Sequence, residues 1–230
     1  MTPIQRLEVP VEIPAEPIHL IDRITGERID ASLYSFDGEE AFGFDNFLLR
    51  STSTILSQWQ PFFRCFRKPE LDAKWEYLGI LGGRFHTTSD KRELAISILI
   101  SDGLVEGLMV TGPSKPAHLK DSRSKRLLYL ANMSTAPWNR RNLLVPCEDR
   151  SLPIHPANGA GTILLKKAIH LSQAAGLGGR IGLRAMGTSW RFYKKRGFEN
   201  LGKIDQNDEY SGQSWWELSE SRSRSVLAGR

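Results

Sequence analysis

Hydrophobic and polar positions change period several times along this chain, and each change marks an element. The stretch "IHLIDRITGERIDASLYSF" alternates on either side of Thr25-Gly26-Glu27, which predicts two strands around a tight turn. From Phe47 to about Leu81 the pattern is helical and rich in aromatics, with Pro61 and Pro69 breaking it into short helices. "ELAISILISDGLVEGLMVTG" reads as a second hairpin turning at Asp102-Gly103. A polar connector, Lys115–Lys125, leads to the buried-type strand "RLLYLANM". A long irregular connection follows, "STAPWNRRNLLVPCEDRSLPIHPANG", and long connections in compact domains are often functional.

The period then becomes helical. Leu164, Leu165, Ala168, Leu171 and Ala175 form one apolar stripe, Lys166, Lys167, His170 and Gln173 take the wetter side, and Gly176 is placed to end the helix. "GRIGLRAM" alternates as a strand with Ile181, Leu183 and Ala185 on one face. "TSWRFYKKRGF" is a short helix opened by Thr188 or Ser189 and closed by Gly197. "FENLGKI" and "SWWELS" supply two last strands, and the Ser- and Arg-rich tail "ESRSRSVLAGR" reads as disordered. The strand–helix–strand unit from Arg126 to Met186 requires parallel pairing through a right-handed crossover. The class is therefore α/β.

The turn Asn158-Gly159-Ala160-Gly161 enters the long helix through residues with almost no side chain. A helix N-terminus presents unpaired N–H groups and the positive end of the helix dipole, so the turn suits an anion approaching the backbone. A Walker loop needs Lys-Ser/Thr after its last glycine, but Thr162-Ile163 follows Gly161. A dinucleotide fingerprint needs a small residue three positions after Gly161, and that position is Leu164. A short Gly-x-Gly cradle for a diphosphate, with N–H groups from Asn158 to Thr162, is the third arrangement, beside a plain tight loop that starts a helix.

Four features in order make the chain resemble the GNAT superfamily of acyl-CoA-dependent N-acetyltransferases. They are the strand "RLLYLANMST" followed by "APWNR", the turn Gly159-Ala160-Gly161 opening "GTILLKKAIHLSQAAGLGG", the strand "GRIGLRAM", and "FYKKRGF", which matches Tyr-x-x-x-Gly-Phe at Tyr193, Gly197 and Phe198. The resemblance covers residues 95–219. It implies a GNAT-type mixed central sheet with flanking helices and a splayed strand pair at the acyl-CoA site. Residues 1–94 are then N-terminal strands and helices of the same domain, and 220–230 a basic flexible tail. It further implies that Met133, Ser134 and Thr135 pair with the pantetheine arm as an added strand would. The diphosphate falls to the amides of Asn158, Gly159, Ala160, Gly161 and Thr162, and Arg140, Arg141 and Lys166 are alternatives for the 3′-phosphate. Acetyl-CoA is the implied acyl donor, and Tyr193 the proton donor to the departing thiolate, since a phenol stays protonated at neutral pH. The other reading of Tyr193 is a core aromatic beside Phe192 and Trp190.

The chain departs from the pattern at the base. Ala131 and Asn132 stand where many members carry a carboxylate, which leaves His155, Asp102 and Glu106 as candidates. Pro156 stands three residues before the first turn glycine, where Gln or Arg is usual, and Met186-Gly187 where an Asn is common.

Composition narrows the setting. At 230 residues, 40% of them hydrophobic, the chain is long enough to bury a core, and no apolar run has the length of a membrane span. The acidic, proline-punctuated start is read as neither signal nor transit peptide, and Cys65 and Cys147 form no metal or disulfide pattern. The expected location is cytoplasmic. Residues 1–50 carry four Arg against ten Asp or Glu, a net of −6, and the other 180 residues carry 27 Lys or Arg against 16 acidic residues, +11. A basic body suits a phosphorylated ligand or a nucleic acid. Three functions follow: an N-acetyltransferase acting on an amine, a non-catalytic acyl-CoA binder, and, less favoured, a nucleic-acid module using "QWQPFFRCFRKP". The chain is read as a monomer or homodimer, with Trp215-Trp216 as core on one side and interface on the other.

Overall fold

The computed structural model describes residues 6–9, 13–36, 54–55, 57–59, 95–120, 125–139, 157–185, 189–202 and 214–229. Nine strands and three helices alternate through them: β1 (Ala15–Asp22), β2 (Arg28–Phe36), β3 (Ala95–Ser101), β4 (Leu104–Pro116), β5 (Arg126–Thr135), β6 (Ala157–Asn158), α1 (Ala160–Ala174), β7 (Ile181–Ala185), α2 (Trp190–Lys195), β8 (Glu199–Gly202), β9 (Ser214–Leu218) and α3 (Glu220–Leu227). The strands form a mixed sheet in the order β6-β1-β2-β3-β4-β5-β7-β9-β8. Contacts divide the chain into two compact units, Met1–Val110 with Asn132–Leu164, and Thr111–Ala131 with Leu165–Arg230. The first unit includes strands on both sides of residue 94.

In the first unit β1 pairs antiparallel with β2 from Ala15↔Tyr34 to Ile21↔Arg28. The turn between them is held by Asp22, whose Oδ1 accepts the N–H groups of Ile24 (2.6 Å) and Thr25 (3.0 Å). The β3–β4 hairpin turns through Asp102 and Gly103, both with positive φ (45° and 71°), the geometry that Asp-Gly favours. Phe36, Ile96, Ile98, Ile100, Val105 and Leu108 bury their side chains together with Trp59 and Trp138. Trp59 lies in "QWQPFFRCFRKP", a stretch whose favoured reading is an amphipathic helix covering the sheet and whose alternative is a nucleic-acid face. It is 1% exposed, donates its indole N–H to the Val105 carbonyl (3.0 Å) and meets Trp138 edge-on. Only Gln58 and Trp59 of that stretch lie within the described residues.

In the second unit β5 pairs parallel with β7 at Leu128–Leu130, as the crossover requires, and β7 pairs antiparallel with β9. Gly182 sits where a Cβ would come within 2.6 Å of Trp215 and 2.7 Å of Leu127, so a bare backbone lets the Trp215 ring lie flat on the sheet. Trp215 also stacks on Tyr129 at 5.8 Å. Both Trp215 and Trp216 are buried, which corrects the expectation that one of them forms an outward interface.

Two further expectations change. The buried stripe of α1 runs Leu164, Leu165, Ala168, Ile169 and Ser172, while Leu171 is half-buried and Ala175 exposed. A serine enters the stripe because its hydroxyl donates to the Arg180 carbonyl (2.8 Å), which satisfies a group the apolar pattern cannot account for. The tail taken as disordered is helical. Ser219 caps α3 by accepting the Arg222 N–H, and Glu220 pairs with Arg180 (2.9 Å). Ser223 and Val226 are buried, with the Ser223 hydroxyl resting against Gly179. Six of its eleven residues are Ser or Arg and hide the pattern, because Ser223 and Val226 are the only fully buried positions among residues 220–229.

Candidate functional site

The glycine turn is built by a strand end and a helix start. Ala157 and Asn158 form β6 and pair with Asp22 and Ile21 of β1. Gly159 then takes φ 102°, a conformation that L side chains rarely adopt, and this reverses the chain into α1. The Gly159 carbonyl accepts the N–H groups of Thr162 (2.8 Å) and Ile163 (2.9 Å), closing the first turn. The Thr162 amide is thus engaged by the helix itself. The amides of Gly159, Ala160 and Gly161 have no hydrogen-bond partner among the described residues, although Ala160 is 2% exposed. No acidic residue stands in the first turn of α1.

Packing draws this turn toward β4 and β5. Gly107 leaves room for Leu164, whose Cδ1 would lie 2.8 Å from an added Cβ, and the Ser134 carbonyl would lie 3.2 Å away. Ser134 is buried, while Met133 and Thr135 are half-buried. The β5–β7 pairing covers Leu128–Leu130, and β5 runs on past it to Thr135. Met133–Thr135 and Asn158–Thr162 therefore fall in the same compact unit.

The base candidates are sorted by their surroundings. Asp102 lies on the exposed hairpin turn, paired with Arg6. Glu106 is 1% exposed within β4. Its carboxylate accepts from the Ser101 hydroxyl (2.6 Å), the Trp138 indole (3.0 Å) and the Asn139 amide (2.5 Å). Three donors occupy it, so the geometry gives it no route to a substrate proton. Ala131 and Asn132 offer no carboxylate. His155, Pro156, Arg140, Arg141 and Met186-Gly187 lie outside the described residues. Lys166 reaches toward the Leu227 carbonyl at 3.5 Å.

Burial raises the Glu106 pKa above the ordinary 4.5, and the bonds from Ser101, Asn139 and Trp138 offset this only in part. A carboxyl with a raised folded pKa contributes stability that is complete below the unfolded value and is lost as pH rises through the folded one. Glu106→Gln keeps the shape and an acceptor for Asn139 and Trp138, and its amide can donate to Ser101. The variant is expected to melt higher than the unaltered protein at neutral pH, with the gap closing on acidification below the ordinary carboxylate range. Thermal unfolding across that range checks it; a gap independent of pH would contradict the assignment.

Tyr193 sits in the second unit, on α2. It is 6% exposed, with its ring 5.2 Å from Phe192 and 5.3 Å from Phe198. Gly197, at φ 82°, ends the helix and returns the chain so that the Phe198 N–H reaches the Tyr193 carbonyl (3.2 Å). The Tyr-x-x-x-Gly-Phe spacing is thus a helix stop that packs Phe198 on Tyr193. Trp190 is partly exposed, with Lys194 near its ring. Sequence reasoning missed Asn139, whose side chain links Glu106 to the Ala157 amide; a lone Asn after "APW" carries no signal for this.

No family model matches the chain, and no curated protein sequence matches it. Among solved structures, the chain is similar to acetyltransferases of the GNAT family. One is a Desulfovibrio desulfuricans protein assigned to that family, at 16% identity and a TM-score of 0.44, covering 83% of this chain and 99% of that one. Another is the paia N-acetyltransferase of Thermoplasma acidophilum in complex with coenzyme A, at 12% identity and 0.41, covering 82% and 98%. A third is FeeM, an N-acyl amino acid synthase from uncultured soil microbes, at 13% identity and 0.43, covering 86% and 96%.

Proposed function

We propose that this chain is an acyl-CoA-dependent N-acyltransferase that moves an acetyl group from acetyl-CoA to an amine. The observation that carries the reading is the run of three amides, Gly159 to Gly161, without a partner among the described residues at the positive end of α1. The residues present fit a diphosphate, because successive N–H groups stand at that helix end and its first turn holds no acidic residue. Asn158 and Thr162 flank those amides, and Met133, Ser134 and Thr135 supply backbone for the pantetheine arm. The bound thioester supplies an activated acyl group. The acceptor amine forms the new C–N bond as the C–S bond breaks, and the thiolate takes a proton. Tyr193 is assigned that proton by its motif, since a neutral phenol is a competent donor at neutral pH.

Calorimetric titration with acetyl-CoA, beside an assay for free CoA, tests the reading. One-to-one binding with CoA release on adding amines supports it; absence of binding at millimolar cofactor would leave the glycine turn as a helix start only. Tyr193→Phe is expected to slow transfer by about 10- to 100-fold with the Kd for acetyl-CoA nearly kept. Equal turnover by the variant would remove Tyr193 as the acid.

A non-catalytic acyl-CoA binder is the second reading. The saturated carboxylate of Glu106 favours it, because no other carboxylate of β4 or β5 stands in reserve as a base. Binding without turnover over a broad amine set separates the two.

A further inference from the structure

Beyond the assignment of the turn itself, the structure shows what holds it. β6 is only two residues long, too short to fix the chain's entry into α1 by strand pairing alone. The Ala157 N–H is held by a side chain instead, donating to Asn139 Oδ1 at 2.6 Å. The other half of that carboxamide donates to Glu106 Oε2 at 2.5 Å and to the Glu106 carbonyl at 3.3 Å. A carboxylate only accepts hydrogen bonds, so Glu106 dictates which way the Asn139 amide faces and turns Oδ1 toward Ala157. Asn139 is itself fixed in a short 3-10 turn, Pro137–Asn139, anchored by the Ala136 N–H on the Glu106 carbonyl (2.9 Å) and the Asn139 N–H on the Ala136 carbonyl (3.0 Å).

We infer that Asn139, oriented by Glu106, is the positioning residue for the diphosphate cradle. This rests on the acyl-CoA reading. The Glu106–Asn139 pair ties β4 to the residue that stands two positions before Gly159, and so sets where the Gly159, Ala160 and Gly161 amides stand. Glu106 has no proton-transfer role in this arrangement; its accepting oxygen serves to orient an amide.

The test compares the unaltered protein with Asn139→Ala and, as a control that loosens another side-chain tie to backbone, Ser172→Ala. The control also removes one buried side-chain bond to backbone, on α1 but distant from the turn in sequence. CoA affinity is read by calorimetry, and backbone hydrogen exchange by mass spectrometry. Asn139→Ala is expected to weaken CoA about ten-fold or more and to speed exchange across residues 157–163 selectively, as loss of the Ala157 bond and of both contacts to Glu106 permits. Ser172→Ala is expected to lower the melting temperature without the affinity loss. Should Asn139→Ala fold poorly, Asn139→Asp keeps the size but sets a second carboxylate against Glu106, and is expected to weaken CoA as well. Unchanged CoA affinity in both Asn139 variants overturns the inference while leaving the acyl-CoA reading intact. Equal weakening by Ser172→Ala overturns it too, because general loosening would then suffice. A failure of the unaltered protein to bind CoA overturns the acyl-CoA reading, and this inference with it.

Discussion

Replacing Gly161 by valine is expected to weaken acetyl-CoA binding about 100-fold or more, equivalent to about 2.7 kcal/mol. The reason is steric. A diphosphate hydrogen-bonded to the Gly159, Ala160 and Gly161 amides must lie against the backbone, and a branched side chain at Gly161 stands in that approach. Valine is a better helix former than glycine, so a loss of affinity reads out the cradle and not helix propensity. Calorimetry paired with circular dichroism makes the check: retained helix signal with lost binding is the expected result. Normal acetyl-CoA affinity in a folded Gly161→Val protein would move the diphosphate elsewhere and take the main support from the proposed function.

The second large effect concerns stability. Glu217 lies on β9, 1% exposed, and its two oxygens serve three donors: the His118 N–H (2.9 and 3.0 Å), the Leu119 N–H (3.0 Å) and the Trp215 indole (2.7 Å). It thereby fastens the chain leaving β4 to the second unit's sheet. Glu217→Leu strands all three donors, the Leu119 N–H and the Trp215 indole in a place that water does not reach. At about 1–3 kcal/mol for each unsatisfied buried donor, some of it relieved by local relaxation, the loss is expected to be about 3–5 kcal/mol. That is a large share of the 5–15 kcal/mol typical of a folded domain. The melting temperature should fall by roughly 8–15 °C for a chain of this size. Glu217→Gln keeps one acceptor and should recover part of the loss. A Glu217→Leu protein melting with the unaltered one would show that the four contacts carry no net stability.

The two carboxylates that matter most here, Glu106 and Glu217, illustrate how far a sequence can be read. Each stands in a strand between apolar neighbours, "LVEGLM" and "SWWELS". Alternation says only that a polar residue interrupts a buried run. What makes each burial tolerable is donors from other parts of the fold: Trp138 and Asn139 for Glu106, His118 and Leu119 for Glu217. No window along the chain contains both the acceptor and its distant donors.

Local chemistry, by contrast, is fully present in the sequence. Thr25-Gly26 and Asp102-Gly103 specify their turns because only residues tolerant of positive φ fit there. The Gly159 turn, the helix behind it, the Gly176 stop, the parallel β5–β7 pair and the Gly197 return are likewise legible, since each depends on neighbours a few residues apart or on the crossover rule. Tertiary structure alone decided the rest. It put Ser172 into the buried stripe of α1 for the sake of one carbonyl, folded the Ser- and Arg-rich tail onto Gly179 and Arg180, sank Trp59 and both Trp215 and Trp216 into core, and set Asn139 between Glu106 and Ala157. Backbone preference acts within a turn's length of chain, so sequence determines it directly. Burial of a polar or aromatic group is settled by which partner the fold delivers to it, and that becomes known only once distant segments have come together.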